Sequence, residues 1–286
     1  MYVNRKYKDR LFRLVFQEKK DLLELYNAIN GSHYENPEEL KIVTLDDVIY
    51  LHMKNDVAFL LGDILNLWEH QSTYNPNMPV RGLSYFAESY QSYMEEHKIN
   101  MYSSNQKMLP FPRYIVFYNG TKQQPERKKL RLSDAFTKKN GEAMEPAVEV
   151  VAEMINVNWG NNQALMEQCQ KLREYSLFVD CVRRYSETMT LGMAVHKAVD
   201  ECIAKGILKK ILLKNKAEVV SMFLKEYDEE KHMEMEREEG LQEGEKRMLY
   251  SLVQDGLLTL QIGASRLGVP EEQFLADMKA SGYTLR

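Results

Sequence analysis

Two carboxylates, Asp56 and Glu69, flank an apolar stretch in the sequence NDVAFLLGDILNLWEHQS, residues 55–72. The stretch contains two runs rich in β-branched and aromatic residues, which predict two strands. Between the runs, Gly62 and Asp63 have the composition of a two-residue type II′ turn. Counting outward from this turn places Asp56 directly opposite Glu69. The sequence therefore predicts a hairpin that brings two carboxylates together.

Directly opposed strand residues have Cβ atoms roughly 4.5–5.5 Å apart. Two negative charges about 5 Å apart repel each other by roughly 3 kcal/mol at an effective dielectric constant near 20. Such a pair either shares a proton or is neutralised by a cation, and a hard ion such as magnesium suits one or two carboxylates with water and phosphate oxygens. Spacing alone leaves a second interpretation open, in which Asp56 and Glu69 are solvated charges at strand ends.

The same register places other polar residues beside the carboxylates. Gln71 shares a face with Glu69, because strand side chains alternate, and Lys54 lies opposite Gln71. His70 points to the other face, where packing or a hydrogen bond is a better role for its side chain than general base catalysis. Lys54 is either a cation of the site or a solvated residue at the strand end.

Arg81 and Tyr85 lie one helical turn apart and are predicted to share a face next to the hairpin. The guanidinium of Arg81 has two candidate roles. It either binds a phosphate through two parallel hydrogen bonds or braces the hairpin carboxylates. The sequence does not choose between these roles.

The elements around the hairpin follow from periodicity and from turn residues. A parallel strand reached through a crossover helix is typical of an apolar run such as YIVFY, which is continuous and buried on both faces. The prediction is an α/β protein: helices at 9–16, 21–29 and 80–95, short strands at 41–44 and in the hairpin, strands at 114–118 and 147–157 joined by a basic loop, and helices at 165–175, 177–185, 193–206 and 218–227.

Composition limits the class of protein. The 286 residues are 44% hydrophobic and 28% charged, which is ordinary for a globular chain. The N-terminus lacks the apolar core of a signal peptide, and no run reaches the roughly 18 apolar residues of a membrane span. The three cysteines are widely spaced, which predicts packed, reduced thiols and a cytoplasmic protein without a membrane partner.

The net charge of −4 is unevenly distributed. Basic residues dominate positions 1–20 and recur within 107–139, whereas acidic residues dominate 226–245. The N-terminal half therefore has the charge to face a polyanion, although basic runs are also common on solvated surfaces.

Several motifs occur together in order: LFRLVF in the first helix, EHQS at the end of the second hairpin strand, PVRGLSYF in the next helix, and YIVFYNG in the following strand. With these motifs, residues 4–160 resemble the bacterial Rpn-like (recombination-promoting nuclease) group, also described as PD-(D/E)XK nuclease family transposases. The resemblance implies a PD-(D/E)XK nuclease-like mixed sheet flanked by helices, followed by a mostly helical C-terminal region.

The function that this resemblance implies is metal-dependent endonuclease cleavage of DNA phosphodiester bonds, in recombination or mobile-element activity. It implies that Asp56 and Glu69 bind Mg²⁺ (or Mn²⁺) together with the backbone carbonyl of His70. Gln71 occupies the third catalytic position, where most of the superfamily has lysine, and Lys54 and Arg81 are candidate DNA phosphate contacts. Glutamine can orient water but supplies no charge. The alternative is therefore a catalytically weak DNA-binding or scaffold protein that retains the nuclease fold.

The sequence also predicts how the chain is divided. We expect a nuclease-like domain at 1–160, a helical extension at 161–225, an acidic helical linker at 226–246, and a small helix-turn-helix-like module at 247–286. Glu271, Glu272 and Asp277 on the last predicted helix would repel a phosphate backbone, so packing or homodimer contacts are favoured over DNA reading for this module. A third hypothesis is a regulator acting through these C-terminal helices.

Overall fold

The structure, a computed structural model, describes residues 10–43, 57–137 and 145–285; the side chains of residue 10 and of residues 224–240 are left out of this description. Within these ranges the chain forms a six-stranded mixed sheet with helices. The strands are β1 (Lys41–Ile42), β2 (Val57–Leu61), β3 (Ile64–Gln71), β4 (Phe111–Tyr118), β5 (Arg127–Arg131) and β6 (Val151–Asn156). The helices are α1 (Arg10–Val15), α2 (Lys19–Asn30), α3 (Met78–Glu96), α4 (Gln163–Gln168), α5 (Gln170–Ser186), α6 (Leu191–Ala204), α7 (Lys209–Gln254), α8 (Leu260–Leu267) and α9 (Glu271–Ala280).

The strand order is β1-β2-β3-β4-β6-β5. The central pairs β3–β4 and β4–β6 are parallel, and the outer pairs are antiparallel. Helix α3 connects β3 to its parallel neighbour β4, which confirms the crossover predicted from the YIVFY run. The α/β class predicted from the sequence is therefore confirmed.

The hairpin forms in the predicted register. Leu61 pairs with Ile64 and Phe59 pairs with Asn66. Gly62 has a φ of +56°, whereas Asp63 is not among the residues with positive φ. A positive φ at the first turn residue alone is the type II′ arrangement, which glycine adopts without strain.

Each face of the sheet packs on a different set of helices. On one face, Phe59, Trp68 and Phe117 pack with α1, α2 and the helices that follow β6. On the other face, Leu67 and Val116 pack against α3. Because side chains alternate along a strand, neighbouring residues of β3 face different helices. This alternation decides which polar residues of β3 can meet.

The sequence prediction was wrong in two places. The basic segment predicted as a loop contains the edge strand β5, which pairs antiparallel with β6. The helices predicted at 165–175 and 177–185 are instead α4 and α5, which meet near Cys169. In β5 only Leu130 is buried, so the charged residues on either side of it hide the strand pattern from a hydrophobicity analysis.

The chain divides into two compact units, Met1–Lys225 and Glu226–Arg286. The second unit has its own small core of Leu249, Tyr250, Val253, Ala264, Phe274 and Met278. Within it, Thr259 caps α8, and Gly268 in the left-handed region ends that helix before α9. The homodimer contact expected of this unit stays a prediction, as do the finer domain boundaries.

None of the helices in the described ranges combines the length and apolar character needed to cross a membrane.

The three cysteines, Cys169, Cys181 and Cys202, are buried and free. Burial raises the pKa of Cys169 to about 12, and burial and the nearby Cys181 raise that of Cys202 to about 12. Because the thiolate is the reactive form, we expect an aromatic disulfide reagent to leave the native thiols unmodified at pH 8 and to titrate all three in urea. Rapid modification of the native protein would contradict this packing.

Candidate functional site around Glu69

Glu69 lies in β3, and its side chain is only 1% exposed. By the alternation of β3 it faces α3 together with Leu67, on the side opposite Trp68 and His70. A buried carboxylate is costly unless charged or polar groups compensate for its lost hydration. The surroundings of Glu69 are therefore the first place to look for function.

Donors from three elements meet the two oxygens of this carboxylate. The Tyr114 hydroxyl of β4 donates to Oε1 at 2.6 Å. Arg81 of α3 forms a salt bridge from Nη2 to Oε2 at 2.8 Å. Gln71 of β3 donates from Nε2 to Oε2 at 3.4 Å. The same-face placement of Glu69 and Gln71 agrees with the predicted strand alternation.

Arg81 is itself largely buried, with 16% of its side chain exposed. Its Nη2 also donates to the Tyr85 hydroxyl at 3.1 Å, which shows that the two residues share one face of α3 as predicted. Burial lowers the pKa of Arg81, but the charge of Glu69 and the contact with Tyr85 outweigh it and raise the pKa overall. Arg81 thus braces Glu69, the second of the two roles left open by the sequence.

The remaining donors of Arg81 are less well used. Nε is buried without a hydrogen-bond partner, and Nη1 has only the Met78 sulfur at 3.8 Å. A guanidinium normally offers five N–H donors. Arg81 therefore neutralises Glu69 through one nitrogen and retains donors for a further acceptor.

Tyr114 is held in its protonated form. Burial and then the charge of Glu69 raise the pKa of Tyr114 well above its ordinary value. At neutral pH the hydroxyl therefore acts as a fixed donor to Glu69 and does not exchange protons with a substrate.

Replacing Tyr114 by phenylalanine is expected to cost roughly 1.5–2 kcal/mol of unfolding free energy, because the lost bond is to a charged acceptor. The matched control is Tyr90→Phe, which removes a hydroxyl bond to the neutral carbonyl of Pro110. Urea unfolding of both variants measures the difference. Equal losses would show that Glu69 draws no special benefit from Tyr114.

The position of α3 depends on two residues in its first turns. Pro79 lies at the start of the helix, where its missing N–H costs nothing. Gly82 lies against the Tyr114 ring, so closely that an added Cβ would be 2.5 Å from Tyr114 Cε1. This close approach brings Arg81, the neighbour of Gly82, within reach of Glu69.

His70 lies on the opposite face of the sheet. Its ring stacks on Phe12, with centroids 5.1 Å apart, and its Nε2 lies 2.7 Å from the Tyr175 hydroxyl. Asn119 donates to the same hydroxyl at 2.6 Å. The side chain of His70 thus belongs to a buried polar chain, as its predicted packing role requires; the metal-ligand role of its backbone carbonyl stays a prediction.

Asp56 and Lys54 lie outside the described residues, as does the lead-in to the hairpin at 44–50. The last described pair on this side of the hairpin is Val57 with Trp68. The predicted juxtaposition of Asp56 with Glu69, and of Lys54 with Gln71, therefore stays a prediction.

The donor set around Glu69 bears on metal binding. A carboxylate has about four acceptor positions, and Tyr114, Arg81 and Gln71 direct donors at Glu69. Among the residues that the structure describes, no three His, Cys, Asp or Glu side chains cluster as a metal site would require. Glu69 can contribute one oxygen contact to a cation, and a second carboxylate would have to come from Asp56.

Sequence reasoning missed Tyr114 as a donor to Glu69. The residue was assigned to the buried YIVFY strand, and its hydroxyl was not considered. A signal was available, because a buried tyrosine usually places its hydroxyl on a partner, and in a parallel sheet the adjacent strand is the nearest source.

The fold and the site together define an α/β protein with a buried carboxylate–guanidinium pair between a central parallel strand and its crossover helix. Comparison of the chain with protein-family models, with curated proteins and with solved structures finds no match.

Proposed function

We propose that this protein is a metal-dependent DNA endonuclease with a PD-(D/E)XK-like core. The observation that carries the proposal is the buried Glu69, held by Arg81 and Tyr114 on the central strand of the sheet. Ionisable groups buried with specific charge partners are concentrated at functional sites. The resemblance of residues 4–160 to the Rpn-like group supports the assignment of this carboxylate to phosphodiester cleavage.

In this proposal each residue has a separate task. Asp56 and Glu69 hold Mg²⁺, or Mn²⁺ in its place, with the backbone carbonyl of His70. The bound ion would polarise the scissile phosphate and lower the pKa of an attacking water. Gln71 orients that water through its amide, and Arg81 directs its remaining donors to a phosphate oxygen.

DNA is the substrate that the charge of the sheet edge favours. Lys128 on β5 donates to the Tyr74 hydroxyl at 2.9 Å, and the ammonium lies 4.7 Å from the ring centroid. Lys129 on the same strand is exposed. Neither lysine is described with a carboxylate partner, so this edge retains positive charge for a phosphate backbone. Lys54 would add to it from the hairpin.

One observation favours the alternative, a catalytically weak DNA-binding or scaffold protein. Arg81 already neutralises Glu69, so the carboxylate needs no metal for charge balance. Gln71 supplies no positive charge near the attacking water. A protein that had lost its rate but kept its fold and its DNA affinity would retain these contacts.

The test is nicking of supercoiled plasmid DNA by the full chain with Mg²⁺. We expect Asp56→Ala and Glu69→Gln each to lower the nicking rate by about 10³-fold, because both remove negative charge from the proposed metal site. The control is Glu153→Gln, which neutralises a carboxylate paired with Arg127 on β5 and should cleave normally.

Unchanged nicking by both Asp56→Ala and Glu69→Gln would exclude the proposed metal site. Metal-independent DNA binding by a wild-type protein that does not nick DNA with Mg²⁺ or Mn²⁺ would instead establish the alternative.

A further inference from the structure

Trp159 is an exposed indole at the tip of the loop between β6 and α4, with 47% of its surface accessible. The other tryptophan, Trp68, is 1% exposed. Burial of an aromatic side chain is a large source of folding free energy, so leaving half of an indole in water forgoes stability.

The loop that carries Trp159 is held in place by amide hydrogen bonds. Asn158 donates from Nδ2 to the Gly120 carbonyl at 3.0 Å and to Asn156 Oδ1 at 2.9 Å. Asn162 donates from Nδ2 to the carbonyls of Glu126 and Asn156, at 2.8 and 2.9 Å. Trp159 therefore projects from a fixed loop.

Arg183 of α5 fastens the same loop from the helical side. Its guanidinium donates to Asn158 Oδ1 and to the Asn119 carbonyl. The loop after β6 and the end of β4 are thus joined to one helix. A platform fixed on both sides loses little entropy when a ligand stacks on it.

The platform lies at the same sheet edge as the Glu69 site. Gln71 is in register with Tyr118, and Tyr118 with Asn156, so β3, β4 and β6 end side by side. Adjacent strands are about 4.8 Å apart, which puts the ends of β3 and β6 roughly 10 Å apart. Ligands of open α/β sheets bind at this carboxyl edge.

The groups near Trp159 are polar or cationic. Arg127 donates from Nε to Asn162 Oδ1 at 3.4 Å, and 42% of its side chain is exposed. Lys122 follows β4 at the same edge and is exposed. An apolar protein surface would find little complement here, whereas a nucleobase would find an aromatic face with cations for its phosphate.

We propose that Trp159 stacks an unpaired nucleobase of a strand that runs along this edge towards Glu69. The inference rests on the proposed function, and it names single-stranded or locally unpaired DNA as the form of substrate received. The chemistry of stacking is shared with RNA, and the two sources are separated by experiment.

The direct readout is tryptophan fluorescence of the full chain without metal. Because Trp68 is buried, a change in emission reports on Trp159. We expect oligo-dT to quench this emission and a duplex of the same length to leave it unchanged. Stronger quenching by oligo-U than by oligo-dT would overturn DNA as the source, and equal quenching by the duplex would overturn the unpaired base.

Binding of dye-labelled oligo-dT, measured by anisotropy, tests the energetics. Trp159→Ala should weaken binding about tenfold, whereas Trp159→Phe should retain most of the affinity. The matched control is Tyr102→Ala, which removes an aromatic ring that is 90% exposed in the segment before β4, at the other end of that strand. Equal affinities of Trp159→Ala and Tyr102→Ala would refute the stacking site.

This inference and the nuclease proposal fail separately. Quenching by oligo-dT in a protein that never nicks DNA would remove the nuclease and leave the base platform. Glu69-dependent nicking without quenching would remove the platform and leave the nuclease.

Discussion

Arg81→Ala is expected to lose about 3–5 kcal/mol of unfolding free energy, because it leaves the carboxylate of Glu69 buried without its counter-charge. The same substitution at Arg127 tests the contribution of exposure. Arg127 pairs with Glu153 at 2.7 Å, but 42% of its side chain is exposed, so Arg127→Ala should cost at most about 1 kcal/mol. Urea unfolding monitored by circular dichroism measures both.

A double-mutant cycle shows whether the loss belongs to the pair. Glu69→Ala should also destabilise the protein, since it leaves Arg81 buried without a carboxylate. When both residues are alanine, neither charge remains, and we expect the double variant to lose about 2–3 kcal/mol less than the sum of the single losses. Strictly additive losses would mean that Arg81 and Glu69 contribute to stability independently and that the brace is not a coupled unit.

The cycle also separates the two functional hypotheses. If the pair exists only to hold α3 on the sheet, replacing both residues should restore the fold and leave DNA binding unchanged. If Arg81 also contacts a phosphate, the refolded double variant should bind DNA more weakly than the wild type. The remaining Nε and Nη1 donors of Arg81 are the structural reason to expect the weaker binding.

The hairpin could be predicted because its determinants are local. A glycine at the first turn position, followed by alternating buried residues, fixes both the turn and the register, and Phe59 pairs with Asn66 as counted. The face of Gln71 and that of His70 then follow from a period of two. Each of these predictions needed only residues within one short segment.

The donors to Glu69 were harder to predict because they come from distant segments. Tyr114 is 45 residues away in the chain, and its contact depends on the pairing of β3 with β4. The choice between phosphate binding and bracing for Arg81 depends on how closely α3 approaches the sheet. That distance is set by Gly82 and the Tyr114 ring, and no periodicity records it.

The strand β5 was missed for a different reason. Four of its five residues are basic, and a pattern search for apolar alternation finds only Leu130. Its place at the sheet edge explains the composition, since an edge strand is protected from pairing with other chains by exposed charge. Charge that sequence reasoning assigned to a loop is thus part of the sheet next to the proposed DNA path.

Gly82→Ala is expected to be about 3 kcal/mol less stable than Gly244→Ala, although both exchange a helical glycine for the best helix former. A Cβ at Gly82 would lie 2.5 and 2.7 Å from two carbons of the Tyr114 ring and 3.2 Å from Val150. At Gly244 nothing lies within 4 Å. Alanine stabilises an open helical site by about 0.5–1 kcal/mol, whereas overpacking a core costs about 1–3 kcal/mol.

The Tyr114 ring cannot yield to the added methyl group without loss, because it is 2% exposed and its hydroxyl is bonded to Glu69. The methyl group must therefore displace either the ring or α3, and each displacement loosens a contact of Glu69. We expect Gly82→Ala to lower DNA nicking along with stability, whereas Gly244→Ala leaves nicking unchanged. If Gly82→Ala were as stable as Gly244→Ala, the close packing of α3 on β4 that positions Arg81 would be wrong, and the bracing of Glu69 with it.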